Sequence, residues 1–454
     1  MRKYFGTDGI RRIANTELTP ELVYKVAKAG AYVLSKHTDH TPTIFIGRDT
    51  RISGTLIEAA MTAGFLSYGA NVKTLGVMPT PAVAYLTRKF KADASVVISA
   101  SHNTFEFNGV KYFSNKGMKI PDSLEEEIEE VMDSGKIEEL SAINDKIGVC
   151  ENREDLSEEY VFFFRKIFED KLLDILDDNF KVLVDTANGA TYKVAEKVFK
   201  ALGIKYDIIN NNPDGININK DCGSTHIENL SKIVVENGYS LGVAYDGDGD
   251  RCLCVDEKGN LIDGDIILAI ISNYLKEQGR LKNDTLVATV MSNLGLKKYC
   301  KDNGITFEET SVGDRYVLEN MLANGNNLGG EQSGHIIFLD YNPTGDGILT
   351  SLMLIEILLK KKIKASEAAS IVKIYPQILV NAKVPSDKKQ AYKEDEVIMN
   401  KIKEIEEEFS GNGRVLIRPS GTEPLVRVMI EGENQETLDK RAHELADLIE
   451  SRLN

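Results

Sequence analysis

Three aspartates, Asp246, Asp248 and Asp250, are separated from one another only by glycines. Carboxylates at this spacing converge on one point if the backbone curls tightly around it, and glycine permits such a curl. Their like charges repel one another unless a cation lies among them. Oxygen ligands of this kind suit a hard divalent ion such as Mg²⁺, Mn²⁺ or Ca²⁺, and do not suit zinc or copper. The sequence therefore predicts a metal site at this loop.

The nearest alternative is the calcium-binding loop of an EF-hand. The three aspartates occupy its first, third and fifth positions, and Glu257 occupies its twelfth. However, the sixth position, where that loop needs glycine, is Arg251. The flanking segments 241–245 and 252–255 also have the apolar character of strands, whereas EF-hand loops lie between helices. A catalytic metal site is therefore favoured over calcium storage and over a solvated acidic turn.

Ser101 follows a predicted buried strand at 95–98 and is followed by His102. A serine at the end of a buried strand can act as a nucleophile or carry a phosphoryl group. A turn or cap hydroxyl is the usual alternative for an isolated serine. Acyl transfer is not indicated, because the chain lacks a GxSxG motif and a plausible serine, histidine and acid set. Phosphoryl transfer needs mainly positioning and charge neutralisation, which a metal and basic residues provide.

The elements that must position these residues alternate between strand and helix along most of the chain. This order predicts an α/β fold with parallel or mixed sheets, covered by helices on both faces. Loops at the carboxyl ends of the strands hold ligands in such sheets. Three loops are expected at such ends, at 99–103, 246–251 and 329–335.

The same rhythm restarts twice, which predicts three similar doubly wound α/β domains, and the last eighty or so residues read as a smaller α+β domain. The predicted domains are 1–154, 155–255, 256–370 and 371–454, with a hinge near Lys360–Lys362. Each of the first three predicted domains carries one of the three loops at strand ends.

Composition and charge limit the partners. A formal net charge of −15 makes the average surface repel nucleic acid and anionic membranes. No apolar run approaches the roughly 18 residues that would span a bilayer, and the amino terminus lacks a secretory core. The 5 cysteines form no CxxC pair, as expected in a reducing compartment. We therefore expect a cytoplasmic protein with a small-molecule partner, no nucleic acid and no membrane.

Four loops together resemble the signature loops of the α-D-phosphohexomutase superfamily. They occur in the family's order and spacing, and the resemblance covers the whole chain. The loops are Ile98–Asn103 with Asn108–Lys111, Asp246–Arg251, Gly330–His335, and Arg418–Pro424. Within the superfamily the chain is most similar to the branch that acts on glucosamine phosphates, on the basis of Tyr4–Arg11, Gln332 and Ser311–Val317.

The resemblance implies four domains around one central cleft and an isomerase that moves a phosphoryl group within its substrate. Glucosamine 6-phosphate and glucosamine 1-phosphate would interconvert through a phosphoserine and a 1,6-bisphosphate, with Mg²⁺ as cofactor, in the synthesis of UDP-N-acetylglucosamine and cell-wall precursors. It also implies a homodimer, and a kinase or bisphosphate donor that first phosphorylates Ser101. The alternatives are a phosphomannomutase or phosphoglucomutase and, from another class, a non-catalytic phosphosugar-binding or calcium-binding protein.

The motifs assign roles to individual residues. The metal ligands are Ser101, Asp246, Asp248 and Asp250. The catalytic set is Ser101, Lys111, His335 and Arg11, with the proton-transferring base left open between Lys111 and His335. Arg251 and His102 support the transferring phosphate, and Glu331 and Ser333 bind sugar hydroxyls. The second phosphate is assigned to Arg418, Ser420, Gly421, Thr422 and Arg427.

The phosphate assignment has a physical basis. Guanidinium groups, hydroxyls and successive backbone N–H groups form the kind of site that a non-transferring phosphate requires, and a plain hairpin turn is the alternative. The segment Arg48–Arg51 ends the first strand of the predicted sheet. It either supports the nucleophile loop or forms a structural network of arginine and aspartate.

Overall fold

The computed structural model describes residues 3–6, 8–409, 411–420 and 423–454. The chain divides into two compact units. The first unit contains Met1–Met291 and Gly304–Ile371, and the second contains Ser292–Asn303 and Val372–Asn454.

Helices and strands alternate through most of the described chain. The helices are α1 Pro20–Ser35, α2 Gly54–Tyr68, α3 Thr80–Lys89, α4 Asp122–Asp133, α5 Ser157–Leu173, α6 Val194–Ala201, α7 Glu228–Asn237, α8 Gly264–Glu277, α9 Leu294–Asp302, α10 Asp314–Asn324, α11 Gly347–Lys361, α12 Ala365–Ala369, α13 Glu396–Glu408 and α14 Gln435–Leu453. The strands are β1 Ile10–Ile13, β2 Thr43–Arg48, β3 Asn71–Val77, β4 Ala94–Ile98, β5 Phe107–Ser114, β6 Cys150–Asn152, β7 Lys181–Asp185, β8 Lys205–Ile209, β9 Leu241–Tyr245, β10 Cys252–Asp256, β11 Leu261–Ile262, β12 Thr285–Thr289, β13 Thr306–Thr310, β14 Leu328–Gly330, β15 Ile336–Phe338, β16 Gln377–Lys383, β17 Arg414–Pro419 and β18 Leu425–Glu431.

The described strands form four sheets. Their strand orders are β1-β5-β4-β2-β3-β6, β11-β10-β9-β7-β8, β13-β12-β14-β15 and β16-β18-β17. The first three sheets are mixed, because their central strands pair in parallel and strands such as β5, β10 and β15 pair antiparallel. The fourth sheet is entirely antiparallel. The predicted fold class is confirmed: three α/β domains and a C-terminal α+β domain.

The strands that lead into the candidate loops lie in the interior of their sheets. Every residue of β4 and of β9 is buried. Strands that are covered on both faces have continuous apolar sequences, which is why both were visible in the sequence. Helix α1 begins at Pro20 because the Thr19 hydroxyl accepts a hydrogen bond from the Leu22 amide, and Pro20 fits the first turn.

The second unit combines the antiparallel sheet with α13, α14 and a segment from earlier in the chain. Residues 292–303, which contain α9, lie between β12 and β13 in sequence but belong to this unit. The Asn293 side chain donates to the Tyr375 carbonyl at 2.9 Å and accepts from the Tyr375 amide at 3.0 Å. Arg414 on β17 donates to the Ser292 carbonyl at 2.6 Å. The two residues that precede α9 therefore make hydrogen bonds within the second unit.

One predicted helix starts later than expected. The pattern predicts a long helix from about Lys389 to Phe409, whereas α13 begins at Glu396. Asp395 accepts hydrogen bonds from the amides of Val397 and Ile398 and so caps the helix at that point. None of the helices in the described ranges combines the length and apolar character that a bilayer crossing needs.

Candidate active site

The nucleophile loop and the metal loop meet in the first unit. Ser101 lies just after β4, and the three aspartates lie just after β9. The Ser101 Oγ donates a hydrogen bond to Asp246 Oδ2 at 2.6 Å, and the Ser101 side chain is buried. Ser101 has φ 49°, in the left-handed region that residues with a Cβ rarely adopt. Two loops from different sheets thus bring a strained serine and a carboxylate together.

The aspartate cluster fits a hard divalent cation. Asp246, Asp248 and Asp250 are all buried. One carboxylate oxygen of each lies within 4.8 Å of an oxygen of the other two. Among the described residues, Oδ1 of Asp248 and Oδ1 of Asp250 are buried and have no hydrogen-bond partner. Burial, and then repulsion from the other two carboxylates, raises the pKa of Asp246 well above its usual range. A cation would satisfy the orphaned oxygens and remove this repulsion.

Two glycines let the metal loop approach its neighbours. A Cβ at Gly247 would lie 2.5 Å from the Ser101 carbonyl oxygen. Gly249 has φ 73°, and a Cβ there would lie 2.5 Å from Thr191 Cγ2. The loop therefore requires glycine at 247 because a side chain would not fit, and at 249 because of both the positive φ and the lack of space. Thr80 at the start of α3 adds a hydrogen bond to Asp248 Oδ2 at 2.7 Å.

Lys111 and Arg11 enter the site from β5 and β1. The Lys111 Nζ lies 3.2 Å from Asp248 Oδ2 and 3.0 Å from Asp8 Oδ2. Burial alone would lower the pKa of Lys111, but the Asp248 and Asp8 carboxylates raise it above its ordinary value, so the side chain is an ammonium ion. Arg11 donates to Asn103 Oδ1 at 3.3 Å and to Asp8 at 2.9 Å. Both cations thus lie beside the two loops.

Acidic and basic side chains alternate around a chain of contacts that returns to the metal loop. After Lys111 and Asp8, the next residue in this chain of contacts is Lys119. Its Nζ contacts Asp8 and lies 2.9 Å from Asp314 Oδ2. Asp314 lies 3.7 Å from His335 Nε2, and His335 Nδ1 lies 3.4 Å from Asp250 Oδ2. The full ring is Asp248, Lys111, Asp8, Lys119, Asp314, His335 and Asp250.

Three members of this ring were absent from the sequence-based assignment. Asp8 and Asp314 lie inside the motifs that carried the family resemblance, so the motifs were a signal for both. Lys119 lies outside those motifs, just beyond the strand that carries Lys111. Burial alone would raise the pKa of Asp8, but the neighbouring cations Lys111 and Lys119 hold it well below its usual range.

Both ring nitrogens of His335 have partners. The Gly345 amide donates to Nε2 at 2.9 Å, which requires that Nε2 carry no proton. Burial alone would lower the pKa of His335, but the Asp250 carboxylate raises it to about 9. Asp250 therefore favours the protonated imidazolium, whereas the Gly345 amide favours a ring whose Nε2 carries no proton. A cation among the aspartates would reduce the pull of Asp250, and the Gly345 amide would then hold the ring neutral with its proton on Nδ1.

Arg251 and His102 lie next to Ser101. The backbone amide of Arg251 donates to Asp246 Oδ1 at 3.2 Å. The Arg251 side-chain nitrogen Nη1 lies 3.4 Å from His102 Nδ1. The same His102 nitrogen lies 3.5 Å from Ser101 Oγ. Burial, and then the positive charge of Arg251, lowers the pKa of His102 to about 4, so this histidine is neutral. His102 Nδ1 therefore lies within contact of both Ser101 Oγ and the Arg251 guanidinium.

The predicted sugar loop connects β14 and β15 and is joined to the metal loop. The Cys252 amide, just after Arg251, donates to the Gly334 carbonyl at 3.0 Å. Arg251 also forms an isolated β-bridge with His335. Glu331 Oε1 accepts from the Gly313 amide at 3.1 Å. Glu331 and Ser333 therefore lie on a loop that is anchored at the metal site, and both are half-buried.

The predicted phosphate loop lies in the second unit. Arg418 on β17 is directly opposite Arg427 on β18. Ser420 follows β17, and its Oγ accepts from the Glu423 amide at 3.2 Å. Arg427 also lies 3.2 Å from a Glu423 carboxylate oxygen. The other two predicted members, Gly421 and Thr422, lie outside the described residues.

Four protein-family models match successive parts of the chain. All four are described as phosphoglucomutase/phosphomannomutase: alpha/beta/alpha domain I matches residues 2–139, domain II residues 158–259 and domain III residues 263–375, and the C-terminal domain matches residues 379–448. The predicted superfamily is therefore confirmed along the chain.

Individual relatives agree with these matches. A phosphoglucosamine mutase from Clostridium kluyveri is 56% identical over 456 residues, which cover 100% of both chains. A phosphoglucomutase/phosphomannomutase family protein from Burkholderia thailandensis shares the fold, with a TM-score of 0.80 and 20% identity over 99% of this chain and 97% of that one. An Aspergillus fumigatus N-acetylphosphoglucosamine mutase, solved with GlcNAc-6P and magnesium, has a TM-score of 0.71 and 17% identity over 100% of this chain and 96% of that one. The chain therefore belongs to the phosphoglucomutase/phosphomannomutase family and, within it, to the phosphoglucosamine mutases.

Proposed function

We propose that the protein interconverts glucosamine 6-phosphate and glucosamine 1-phosphate through a phosphoserine at Ser101. The observation that carries the proposal is the 2.6 Å hydrogen bond from Ser101 Oγ to Asp246, inside a buried cluster of three carboxylates. A phosphoryl group on this oxygen would be held beside the metal loop and three cationic side chains. Phosphoryl transfer depends mainly on such positioning and on neutralisation of charge. We place the reaction in the synthesis of UDP-N-acetylglucosamine.

Mg²⁺ is the cofactor that we propose for the aspartate cluster. Asp246, Asp248 and Asp250 would hold the ion, with an oxygen of phosphorylated Ser101 as a further ligand. When bound, the ion acts as a Lewis acid toward the transferring phosphoryl group. The oxygen-only donor set and the orphaned carboxylate oxygens support this choice. The magnesium bound to the Aspergillus fumigatus relative also supports it.

The cationic side chains neutralise the charge that develops on the phosphoryl group. Lys111 and Arg251 lie against the metal loop, and Arg11 lies against Asn103 in the nucleophile loop. Lys111 and His335 are the two candidates for proton transfer to and from the sugar hydroxyl. Nε2 of His335 accepts from the Gly345 amide and Nδ1 faces Asp250, so we assign His335 to orienting Asp250. Lys111 contacts Asp248 and Asp8, but its ammonium group has three N–H donors, so we favour it for a further contact with the substrate.

The sugar and the second phosphate are assigned to separate loops. One oxygen of Glu331 accepts from the Gly313 amide, which leaves the other to accept from a sugar hydroxyl, and Ser333 would bind the adjacent hydroxyl. Arg418 lies directly opposite Arg427 on the neighbouring antiparallel strand, so the two side chains start from the same face of the sheet. A phosphate bound there could accept hydrogen bonds from both guanidiniums. Ser420, Gly421 and Thr422 would complete the phosphate site.

The reaction then proceeds in two transfers. Phosphoserine gives its phosphoryl group to the free hydroxyl of the sugar phosphate, so the bond to Ser101 Oγ breaks and a 1,6-bisphosphate forms. The bisphosphate turns over in the site. Its other phosphoryl group returns to Ser101 Oγ, and the isomeric monophosphate leaves. The second phosphate site must therefore accept the phosphate at either end of the sugar.

The phosphoserine is tested by intact-mass measurement. After incubation with glucose 1,6-bisphosphate and Mg²⁺, we expect a mass increase of one HPO₃ that peptide mapping places on Ser101. Addition of glucosamine 6-phosphate should then remove this group, because the phosphoenzyme is the donor. A phosphate mapped to another residue, or no adduct under these conditions, would overturn the phosphoserine mechanism.

Substrate preference is tested with three hexose 6-phosphates under the same conditions. We expect kcat/KM for glucosamine 6-phosphate to exceed the values for glucose 6-phosphate and mannose 6-phosphate by about tenfold or more, equivalent to about 1.4 kcal/mol. Mixtures of equal concentration, followed by NMR of the sugar phosphates, measure this ratio directly. A preference for glucose or mannose would instead identify a phosphoglucomutase or phosphomannomutase activity.

A further inference from the structure

We propose that Asn219 is a positioning residue for phosphoryl transfer, acting with Arg51 to hold the carbonyl groups of the nucleophile loop. Neither residue touches the metal loop carboxylates or the predicted substrate ligands in the described part of the chain. Both act on the backbone of Ser101 and Asn103 instead. The inference rests on the proposed role of Ser101 as the phosphoryl carrier.

Arg51 provides one half of this carbonyl clamp. Its side chain is fully buried, and its Nε donates to Asp49 Oδ2 at 2.7 Å. One terminal nitrogen donates to the Ser101 carbonyl at 2.9 Å and to the Asn103 carbonyl at 2.8 Å. The other donates to the Phe107 carbonyl at 3.0 Å. The guanidinium therefore holds the loop between β4 and β5 at several points along its length.

Asn219 provides the other half from a different sheet. It lies in the asparagine-rich loop 210–223 that follows β8. Its Nδ2 donates to the Ser101 carbonyl at 2.8 Å and to the Asn103 carbonyl at 2.9 Å. The amide group has two N–H bonds, so one Nδ2 can serve both carbonyls. Asn219 is 3% exposed and has φ 57°, a conformation that asparagine tolerates better than most residues.

The clamped carbonyl is also the point where the metal loop approaches. A Cβ at Gly247 would lie 2.5 Å from the Ser101 carbonyl oxygen and 2.8 Å from Asn219 Nδ2. Ser101 itself has the left-handed φ of 49°, so its conformation must be imposed by its surroundings. A shift of this carbonyl would move Ser101 Oγ relative to Asp246. Misplacement of a reacting group by about 1 Å can lower a rate by about 10²-fold.

The clamp is tested with Asn219→Asp, which preserves the size of the side chain and its tolerance of positive φ. The carboxylate presents acceptors to the two carbonyl oxygens and so replaces attraction with repulsion. We expect kcat to fall by about 10²-fold, with KM for glucosamine 6-phosphate changed by less than about threefold. Each kcat is divided by the fraction of enzyme that accepts a phosphate on Ser101, measured by intact mass, so that misfolded protein does not contribute.

Two further variants separate positioning from general stability. Asn219→Gly keeps the positive φ but removes both hydrogen bonds, and we expect kcat to fall by about tenfold. Asn212→Asp is the matched control, because Asn212 is an exposed asparagine in the same loop and should retain the parent kcat. A merely structural role for Asn219 would lower the melting temperature and the phosphorylatable fraction but leave the corrected kcat unchanged.

The possible failures are distinguishable. A corrected kcat for Asn219→Asp equal to that of the parent would overturn the clamp, provided that Ser101→Ala is inactive. An equal loss in Asn212→Asp would also overturn it, because the effect would then belong to the loop as a whole. If Asn219→Asp does not fold, a parent-like kcat in Asn219→Gly overturns the clamp in its place. Full activity in Ser101→Ala would instead remove the proposed phosphoserine mechanism.

Discussion

Ser101→Ala is expected to abolish mutase turnover, with kcat lowered by about 10⁴-fold or more. The substitution removes the oxygen that carries the phosphoryl group, and no other described hydroxyl has the same 2.6 Å contact with the aspartate cluster. Thr80 is the nearest comparable hydroxyl, but its Oγ1 donates to Asp248 from the start of α3. A coupled assay that consumes glucosamine 1-phosphate measures the loss, and intact mass should show no phosphate adduct.

Ser114→Ala is the matched control for this experiment. Ser114 ends β5, and its hydroxyl donates to the Met118 carbonyl away from the metal loop. The control should retain the parent kcat and the phosphate adduct on Ser101. Binding of glucosamine 6-phosphate to Ser101→Ala should persist, because the sugar and phosphate loops are unchanged. Turnover by Ser101→Ala at the parent rate would show that the phosphoryl group is carried elsewhere.

The contact between Ser101 and the aspartates was within reach of the sequence. Strands β4 and β9 are buried on both faces and therefore appear as continuous apolar runs, which makes their carboxyl ends visible. The loops at those ends contain the residues that can do chemistry. Because β4 and β9 belong to different sheets, the meeting of the two loops was expected from the family resemblance and not from strand order. The fold class followed from the same alternation of strand and helix.

The support around that contact was not visible in the sequence. Lys119 and Asp314 are almost two hundred residues apart, and nothing local indicates that they pair. Asn219 belongs to a loop whose asparagines suit turns by composition alone, so its contact with Ser101 has no local signal. Such long-range polar contacts depend on how complete elements pack. Periodicity and turn chemistry do not encode them.

The limits of local reasoning also apply to α9 and His335. Helix α9 follows β12 in sequence and falls within the segment that matches domain III, yet Asn293, just before it, exchanges hydrogen bonds with Tyr375 in the second unit. His335 was assigned to catalysis from its position in the sugar loop. Its availability depends on the Gly345 amide, whose approach is a tertiary feature. The domain boundaries near residues 154, 255 and 370 stay predictions.

Asp246→Asn should have opposite effects on the metal-free and metal-bound protein. In the parent, saturating Mg²⁺ at about 100 times its Kd should stabilise the fold by about 2.7 kcal/mol, a rise in melting temperature of roughly 3–4 °C. The variant should lose most of this rise and its turnover, because one of three ligands is replaced by a neutral group. In chelator, however, it should melt above the parent, since one of three mutually repelling buried carboxylates is gone.

Calorimetry with and without Mg²⁺ measures both effects, and Asp447→Asn serves as the control because it removes the same charge from an exposed position in α14. The control should keep the parent response to Mg²⁺. The side-chain amide introduced by Asp246→Asn could still accept from Ser101 Oγ or from the Arg251 amide, so the local fold should survive. A variant that keeps the full Mg²⁺ response would place the metal away from the aspartates. If the variant instead melts below the parent in chelator, the hydrogen bonds of Asp246 stabilise the loop by more than the repulsion between the carboxylates destabilises it.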